Sequence, residues 1–190
     1  MNIVEPIKNK KDIKLLRKIL STNPRNLLLF SLGINSGLRI SDILALNVGD
    51  VKNKEFIEIR EIKTNKYKRF PINKFLQCEI EQFVFKRNPE EPLFLTQKNK
   101  RLDRIQAYKI LNKATAEAGI NLHIGTHSLR KTFGYHHFKK FGNIQLLQKI
   151  FNHSSSAITL RYIGLEQDII DDRYKNFFLR KYLHILKCKR

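Results

Sequence analysis

The sequence has few cysteines and no long apolar run. Its 190 residues include only two cysteines, Cys78 and Cys188, which lie far apart and form no CxxC pair, so neither a disulfide scaffold nor a zinc ribbon is indicated. The longest apolar runs, such as residues 27–32, are far shorter than the ~20 residues that cross a bilayer, and the N-terminus has no apolar signal core. We therefore expect a cytoplasmic protein with no membrane partner.

The sequence also lacks motifs for binding a nucleotide or a metal ion. The sequence contains no Walker loop, no glycine fingerprint and no alternation of strands with helices, which argues against a nucleotide-binding doubly wound sheet. Zinc ligation by His123 with His127, or by His136 with His137, is disfavoured, because Gly125 interrupts the first pair and adjacent residues on a helix diverge. With no acidic cluster beside its histidines, the chain is expected to use no metal and no cofactor.

Acidic residues are scarce relative to basic ones. The chain has 17 Asp and Glu against 37 Lys and Arg, which gives a formal net charge of +20 and a pI near 10.1. Such an excess favours a polyanionic partner, with nucleic acid ahead of an anionic membrane surface. A chain of 190 residues is long enough for one well-buried core, whereas a second full domain would be cramped.

Hydrophobic periodicity predicts a mainly α protein with one small antiparallel β-sheet, an α+β fold class. Helices are predicted over residues 10–20, 25–36, 41–46, 73–86, 103–119 and 166–186, with further helices starting near residues 126 and 154. A β-hairpin is predicted from strands at residues 55–62 and 67–72, and residues 92–96 form a short apolar strand that could join it.

One segment near the C-terminus concentrates chemically useful side chains. His127 and Arg130 are three residues apart, so a helix that starts near Thr126 would carry the imidazole and the guanidinium on one face. His153 precedes three serines that can cap a further short helix, and that helix would carry Tyr162. The spacing therefore brings together groups that can hold and attack a phosphate.

A phosphodiester substrate would use these groups together with an upstream arginine. Charge grows on the non-bridging oxygens in the transition state, and two guanidiniums, Arg39 and Arg130, can stabilise it through charge-assisted hydrogen bonds. Tyr162 is the candidate nucleophile, because a phenol freed of its proton can form a phosphotyrosyl ester that stores the bond energy for religation.

The remaining roles fall to a lysine and two histidines. Lys63, on the predicted hairpin, is the candidate general acid for the departing sugar oxygen, while His127 could accept the phenol proton. His153 could donate a hydrogen bond to a phosphate oxygen, and Asp42 could brace Arg39 or His127. Other cations are candidates for contacts with the DNA backbone: Arg60, Lys66, Lys68, Arg69 and Lys131.

Taken together, these segments resemble the tyrosine recombinase (phage integrase) family. The resemblance rests on SGLRISDILAL, IKTNKYKRFPI, HSLRKTF and FNHSSSAITLRYIG, and it covers about residues 25–164. It implies the family's catalytic-domain fold, cleavage of double-stranded DNA to a 3′-phosphotyrosine, exchange through a Holliday junction and a tetramer on DNA, with accessory DNA-bending proteins as further partners. It assigns the six active-site positions to Arg39, Lys63, His127, Arg130, His153 and Tyr162.

Two departures from the family pattern affect the expected organisation. Asn152 stands where family members usually have a glycine before the last active-site histidine, and we expect a small backbone adjustment there. Only 38 residues precede Arg39, which leaves no room for an N-terminal core-binding domain. We therefore expect a catalytic domain at residues 1–165 and a C-terminal helix and tail at residues 166–190, which either docks on a neighbouring subunit or packs on its own core.

Several alternatives remain open at this point. Short chains of this kind resemble the fimbrial-switch invertases, although a fragment of a larger integrase would have the same sequence. A type IB topoisomerase uses a similar residue set but only relaxes DNA, and a non-catalytic DNA-binding regulator could keep the fold and the basic face. Inversion, integration, excision and resolution share one chemistry, so the sequence does not distinguish among them.

Overall fold

The computed structural model describes residues 4–122, 124–125 and 127–177. These residues form nine α-helices and two strands, together with a single 3₁₀ turn at Val48–Asp50, so the predicted mainly α class with a small antiparallel sheet is confirmed. In chain order the elements are α1 (Lys10–Leu20), α2 (Pro24–Ser36), α3 (Ile40–Ala45), β1 (Phe56–Arg60), β2 (Tyr67–Pro71), α4 (Lys74–Val84), α5 (Arg104–Glu117), α6 (Ser128–Phe141), α7 (Ile144–Phe151), α8 (Ser156–Tyr162) and α9 (Glu166–Asn176).

Helix α2 lies at the centre of the fold, and its ends follow the predicted signals. The Asn23 side chain accepts a hydrogen bond from the backbone N–H of Asn26, and Pro24 occupies the first helical position, where its missing N–H costs nothing. Gly37 ends the helix in the left-handed conformation with φ 65°. Every residue from Leu28 to Gly33 is buried, which agrees with the prediction of a buried helix.

Two hydrophobic clusters divide the interior. The larger cluster takes buried residues from α1 to α5 and the hairpin, and the smaller one consists of Leu147, Phe151, Ile163 and Leu165 with partly buried neighbours on α6 to α9. Helix α6 joins the two clusters, because it packs on α2 on one side and on α7 on the other. Gly134 allows the second contact: a Cβ atom there would lie 2.7 Å from the ring of Phe151 and 2.6 Å from Ile163.

The sheet is a two-stranded hairpin, and its register fixes which side chains face inward. Ile57 pairs with Phe70, and Ile59 with Lys68. Ile57 is fully buried, so the face that carries these four residues points toward the core.

The prediction that residues 92–96 could join the hairpin as a third strand is wrong, because they do not pair with it in the described sheet. Leu93 instead donates its backbone N–H to Leu46 O at 2.8 Å, which ties the segment to the loop that follows α3.

An extended N-terminal strap, residues 4–9, crosses α6. Ile7 is fully buried, and its backbone N–H donates to Thr132 Oγ1 at 2.8 Å. The Lys131 ammonium donates to Val4 O at 2.7 Å, and Lys8 forms an ion pair with Asp168 at 3.0 Å. The strap therefore connects the helix that carries Arg130 with the helix that follows the candidate nucleophile.

The last described helix has an exposed apolar face. A helix was predicted over residues 166–186, and the structure confirms it as far as Asn176; the predicted apolar positions Phe178 and Leu183 lie outside the described residues. No residue of α9 is buried, and Ile170 and Tyr174 are 43% and 80% exposed. Within the described ranges, no helix combines the length and the apolar character that a membrane crossing requires.

We predict that Gly134→Ala destabilises the protein. Alanine ordinarily stabilises a helix by about 1 kcal/mol relative to glycine, but here the added methyl group must displace Phe151 and Ile163. Overpacking of this kind costs roughly 1–3 kcal/mol, so the free energy of unfolding should fall in urea titrations followed by circular dichroism. A gain in stability would show that α6 and α7 are not in close contact.

Candidate active site

Arg130 is a buried cation held by backbone oxygens. Helix α6 begins at Ser128, which puts Arg130 in its first turn and His127 just before it; Thr126, the predicted cap, lies outside the described residues. The Arg130 guanidinium donates to Gly37 O at 2.5 Å and to Phe151 O at 2.8 Å. It thereby joins the ends of α2 and α7, and the guanidinium carbon lies 4.5 Å from the centre of the Phe151 ring.

Tyr162 is the last residue of α8 and contacts both histidines of the predicted site. Ser155 caps this helix by accepting a hydrogen bond from the backbone N–H of Ile158, as the run of serines predicted. The Tyr162 hydroxyl lies 3.5 Å from His127 Nδ1, and its ring is edge-on to that of His153 at 5.1 Å between centroids. The phenol is therefore within reach of a group that can take its proton.

His153 is oriented by its neighbours on both sides. Asn152, which precedes it, adopts the left-handed conformation with φ 56° and ψ 47°, a conformation that glycine favours and asparagine tolerates. The Nδ1 atom of His153 lies 3.1 Å from the hydroxyl of the buried Thr159. The same hydroxyl lies 3.0 Å from Ser155 O and has only one proton to donate, so it sets the tautomer of His153. When the hydroxyl donates to Nδ1, the neutral ring carries its proton on Nε2 and can donate from there; when it donates to Ser155 O, the ring carries its proton on Nδ1.

A buried carboxylate, Glu61, holds the other side of the site. One of its oxygens lies 2.7 Å from an Arg39 nitrogen and 2.8 Å from the Lys68 ammonium. Lys68 also donates to Ile150 O, which links the hairpin to α7. Asp42 lies 3.9 Å from Arg39 and accepts a hydrogen bond from the backbone N–H of Ile62, so this acid braces both the arginine and the hairpin turn.

The charges in this cluster shift the pKa values of Glu61 and Lys68. Burial by itself raises the pKa of Glu61, but the contacts with Lys68, Thr64 and Arg39 outweigh that effect and lower the pKa to about 2. Burial lowers the pKa of Lys68, and the contact with Glu61 opposes this change. The cluster is therefore a paired carboxylate between two cations at neutral pH.

The groups around the phenol are neutral in the free protein. Loss of water around the ring, together with the positive charges of Arg104 and Arg130, lowers the pKa of His127. Burial and the same kind of repulsion lower the pKa of His153 to about 4. Burial raises the pKa of Tyr162, against the attraction of Arg130. Two neutral imidazoles and a neutral phenol thus lie beside the guanidiniums.

Lys63 is the predicted site residue that the structure leaves outside the cluster. The other five approach one another around Arg130 and Tyr162, whereas Lys63 is exposed in the hairpin turn. Of the predicted DNA-binding cations, Lys68 differs most from expectation, because its ammonium points inward to Glu61. The others keep their charges at or near the surface: Arg60, Lys66, Arg69 and Lys131.

Glu61 is the main site residue that the sequence analysis missed. The signal for it was the alternation of the hairpin: Ile57 and Ile59 face inward, and Glu61 has the same parity two residues further on. An acid at an inward position requires a buried partner, and Lys68 has matching inward parity on the opposite strand.

Replacing Glu61 with glutamine is predicted to destabilise the protein in a pH-dependent way. The change leaves Arg39 and Lys68 without their counter-charge, which costs about 3 kcal/mol at neutral pH. Because the folded-state pKa of Glu61 is lowered from 4.5 to about 2, its stabilisation is present above pH 4.5 and is lost as the pH falls toward 2. The difference between wild type and Glu61→Gln should shrink over that window in urea titrations.

The matched control for this measurement is Glu58→Gln. Glu58 lies on the same strand, but its side chain is 55% exposed in the pair with Arg69, so its loss should change stability by less than about 1 kcal/mol. Equal effects of the two substitutions, or an effect of Glu61→Gln that does not depend on pH, would contradict the buried ion cluster.

Comparisons with known proteins identify the family of this chain. The model of the Phage integrase family matches residues 9–168. A relative from Bacillus subtilis (strain 168), the probable integrase/recombinase YoeC, is 44% identical over 179 residues, which is 93% of this chain and 98% of the relative. Tyrosine recombinase XerD from Oceanobacillus iheyensis is 27% identical over 82% of this chain, but the match spans only 55% of that protein.

The fold comparison agrees with the sequence comparison. The crystal structure of XerA recombinase superposes with a TM-score of 0.76 at 20% identity, over 91% of this chain and 65% of that one. The resemblance to the tyrosine recombinase family and the expected catalytic-domain fold are thereby confirmed. The chain belongs to the phage integrase family and has the catalytic-domain fold of the tyrosine recombinases.

Proposed function

We propose that this protein is a site-specific recombinase that cleaves and rejoins double-stranded DNA through a 3′-phosphotyrosyl intermediate. The observation that carries the proposal is the position of Tyr162: its hydroxyl lies 3.5 Å from His127 Nδ1 and beside the buried guanidinium of Arg130. A nucleophile, a base and a fixed positive charge are the parts that phosphoryl transfer to tyrosine requires.

The arginines would stabilise the phosphate in the transition state. A guanidinium has five N–H donors, and Arg130 uses two of its nitrogens on Gly37 O and Phe151 O, so it keeps donors for a ligand. Arg39 is 16% exposed beside Glu61, which fixes its position and leaves it accessible from the site. Two oriented guanidiniums supply charge-assisted hydrogen bonds to the non-bridging oxygens without reorganisation during the reaction.

Cleavage would move one proton at each end of the transferred phosphate. Tyr162 Oη attacks the scissile phosphorus and releases its proton to His127, while the bond from phosphorus to the 5′-oxygen breaks and that oxygen takes a proton from Lys63. His153 donates from Nε2 to a phosphate oxygen. Attack by a 5′-hydroxyl of another strand on the phosphotyrosine reverses these steps and joins the new strand.

Assembly on DNA would involve the exposed helix α9 and the residues that follow it. We propose that residues 1–165 form the catalytic domain and that the segment from Glu166 docks on a neighbouring protomer in a tetramer. Lambda integrase, whose fold matches with a TM-score of 0.67 at 13% identity, has been solved as a tetramer bound to a Holliday junction. Such an assembly would act in the cytoplasm, with accessory DNA-bending proteins helping to bring two sites together.

Tyr162→Phe is predicted to abolish covalent capture of DNA. On a nicked suicide duplex containing DNA that flanks the gene, the wild type should form a protein–DNA adduct on a denaturing gel, and the variant should form none while binding DNA with unchanged affinity. An adduct in the variant would mean that another residue is the nucleophile. Strand exchange between two duplexes, rather than relaxation alone, would separate a recombinase from a topoisomerase.

The pH dependence of cleavage should report the state of His127. Its pKa lies below the usual 6.5, so the neutral, proton-accepting ring persists to below pH 6.5 and the single-turnover rate should fall only at lower pH. His127→Gln should reduce the rate by at least about 100-fold and remove this acid limb. An acid limb that remains in the variant would assign it to another group, such as His153.

A further inference from the structure

The hairpin turn of residues 61–66 is tied to the segment that carries His153 by one side-chain contact. The Lys66 ammonium donates to Asn152 Oδ1 at 2.8 Å, although the two residues are 86 positions apart in the chain. We propose that Asn152 is a positioning residue: its side chain holds the turn at the edge of the site, so that Lys63 faces the leaving oxygen. This inference rests on the proposed function, because it concerns the proton donor of that reaction.

The turn is stiff enough to transmit this contact to Lys63. Its two ends are joined by backbone hydrogen bonds, from Glu61 N to Lys66 O at 2.9 Å and from Asn65 N to Glu61 O at 2.8 Å. The Thr64 hydroxyl donates to the Glu61 carboxylate at 2.6 Å, so the middle of the turn is also fixed. A restraint on Lys66 therefore limits where Lys63, three residues earlier in the same turn, can lie.

The position of the hairpin turn depends on contacts with the rest of the protein. A two-stranded sheet is marginally stable by itself, and this one is anchored on its inner side through Glu61 and Lys68. The inner anchor fixes the Glu61 end of the turn, and the Lys66–Asn152 hydrogen bond fixes the other end. Because Asn152 is adjacent to His153, the same residue sets the distance between the proton donor and the phosphate contact of that histidine.

The backbone at position 152 explains why asparagine suits this role. A φ of 56° excludes most side chains, and asparagine is among the few that adopt it without large strain. Glycine, which the resemblance leads one to expect here, fits the same backbone but has no oxygen for Lys66. Asn152→Gly is therefore a clean probe, since it removes the acceptor and leaves the left-handed turn between α7 and α8 unstrained.

A sulfur substitution in DNA distinguishes this role from a general structural one. With a 5′-bridging phosphorothiolate the leaving group is a thiolate, whose conjugate acid has a pKa of about 8.5, so its departure needs no proton from the protein. A residue that acts by placing the proton donor matters for the oxygen ester and not for the sulfur ester. A residue that acts on the nucleophile or on folding matters for both.

The experiment compares single-turnover cleavage of the two esters by wild type, Asn152→Gly, Asn152→Asp and Lys63→Ala. Asn152→Gly should cleave the oxygen ester about fivefold more slowly and the sulfur ester at the wild-type rate. Asn152→Asp keeps an acceptor for Lys66, so the ratio of its rates on the two esters should match that of the wild type, because its added charge acts on both esters alike. Lys63→Ala, the positive control, should lose at least about 100-fold on the oxygen ester and recover on the sulfur ester.

Two results would overturn the inference: a wild-type rate of Asn152→Gly on the oxygen ester, or an equal slowing on both esters. Amide hydrogen exchange in the turn gives a second, activity-independent measurement. The Asn65 amide should exchange several-fold faster in Asn152→Gly and at the wild-type rate in Asn152→Asp; unchanged exchange in Asn152→Gly would refute the restraint. If the wild type cleaves neither ester, the proposed recombinase function fails, while the exchange result still decides whether Asn152 holds the turn.

Discussion

The arrangement of the site depends on one buried carboxylate shared by two cations. Glu61 lies between Arg39 and Lys68, and Lys68 extends the contact to the end of α7. Without it, these charges and that of Arg130 would repel one another in a region with little water. With Asp42 beside Arg39, the cluster has two acids against the three cations Arg39, Lys68 and Arg130, so it stays net positive and attracts a phosphate. Glu61 thus gives the hairpin its position and leaves the site its charge.

Much of the fold follows from local signals. Pro24 and Gly37 bound the central helix as their backbone preferences require, and the serines before α8 cap it as predicted. Helix α7 was not among the predicted elements, although Asn143 and the apolar residues that follow it carry a helix signal. Two of the predicted site residues, Arg130 and Tyr162, lie on helices, and Arg39 and His127 come directly before helices, so their relative positions follow from helix starts that the sequence signals.

Features that depend on contacts between distant segments were harder to predict. Residues 92–96 have the composition of a strand, but they pair with the loop after α3 rather than with the hairpin. Lys63 and Lys68 are both lysines of one hairpin, and only the register of its strands shows that Lys68 points inward and Lys63 lies in the turn. The partner of Asn152 is equally invisible in the sequence, because local patterns do not specify which surface the turn reaches.

Helix α9 is attached to the rest of the described structure by few contacts. No residue of this helix is buried, and the ion pair between Asp168 and Lys8 of the strap joins side chains that are about half exposed, a contact worth roughly 0–1 kcal/mol. Another contact of the helix with the rest of the described structure is Ile169, which packs on the smaller hydrophobic cluster. A helix attached by few contacts, among them one apolar side chain and one exposed ion pair, has a stability of its own, so it can open without unfolding the core that holds Arg130 and Glu61.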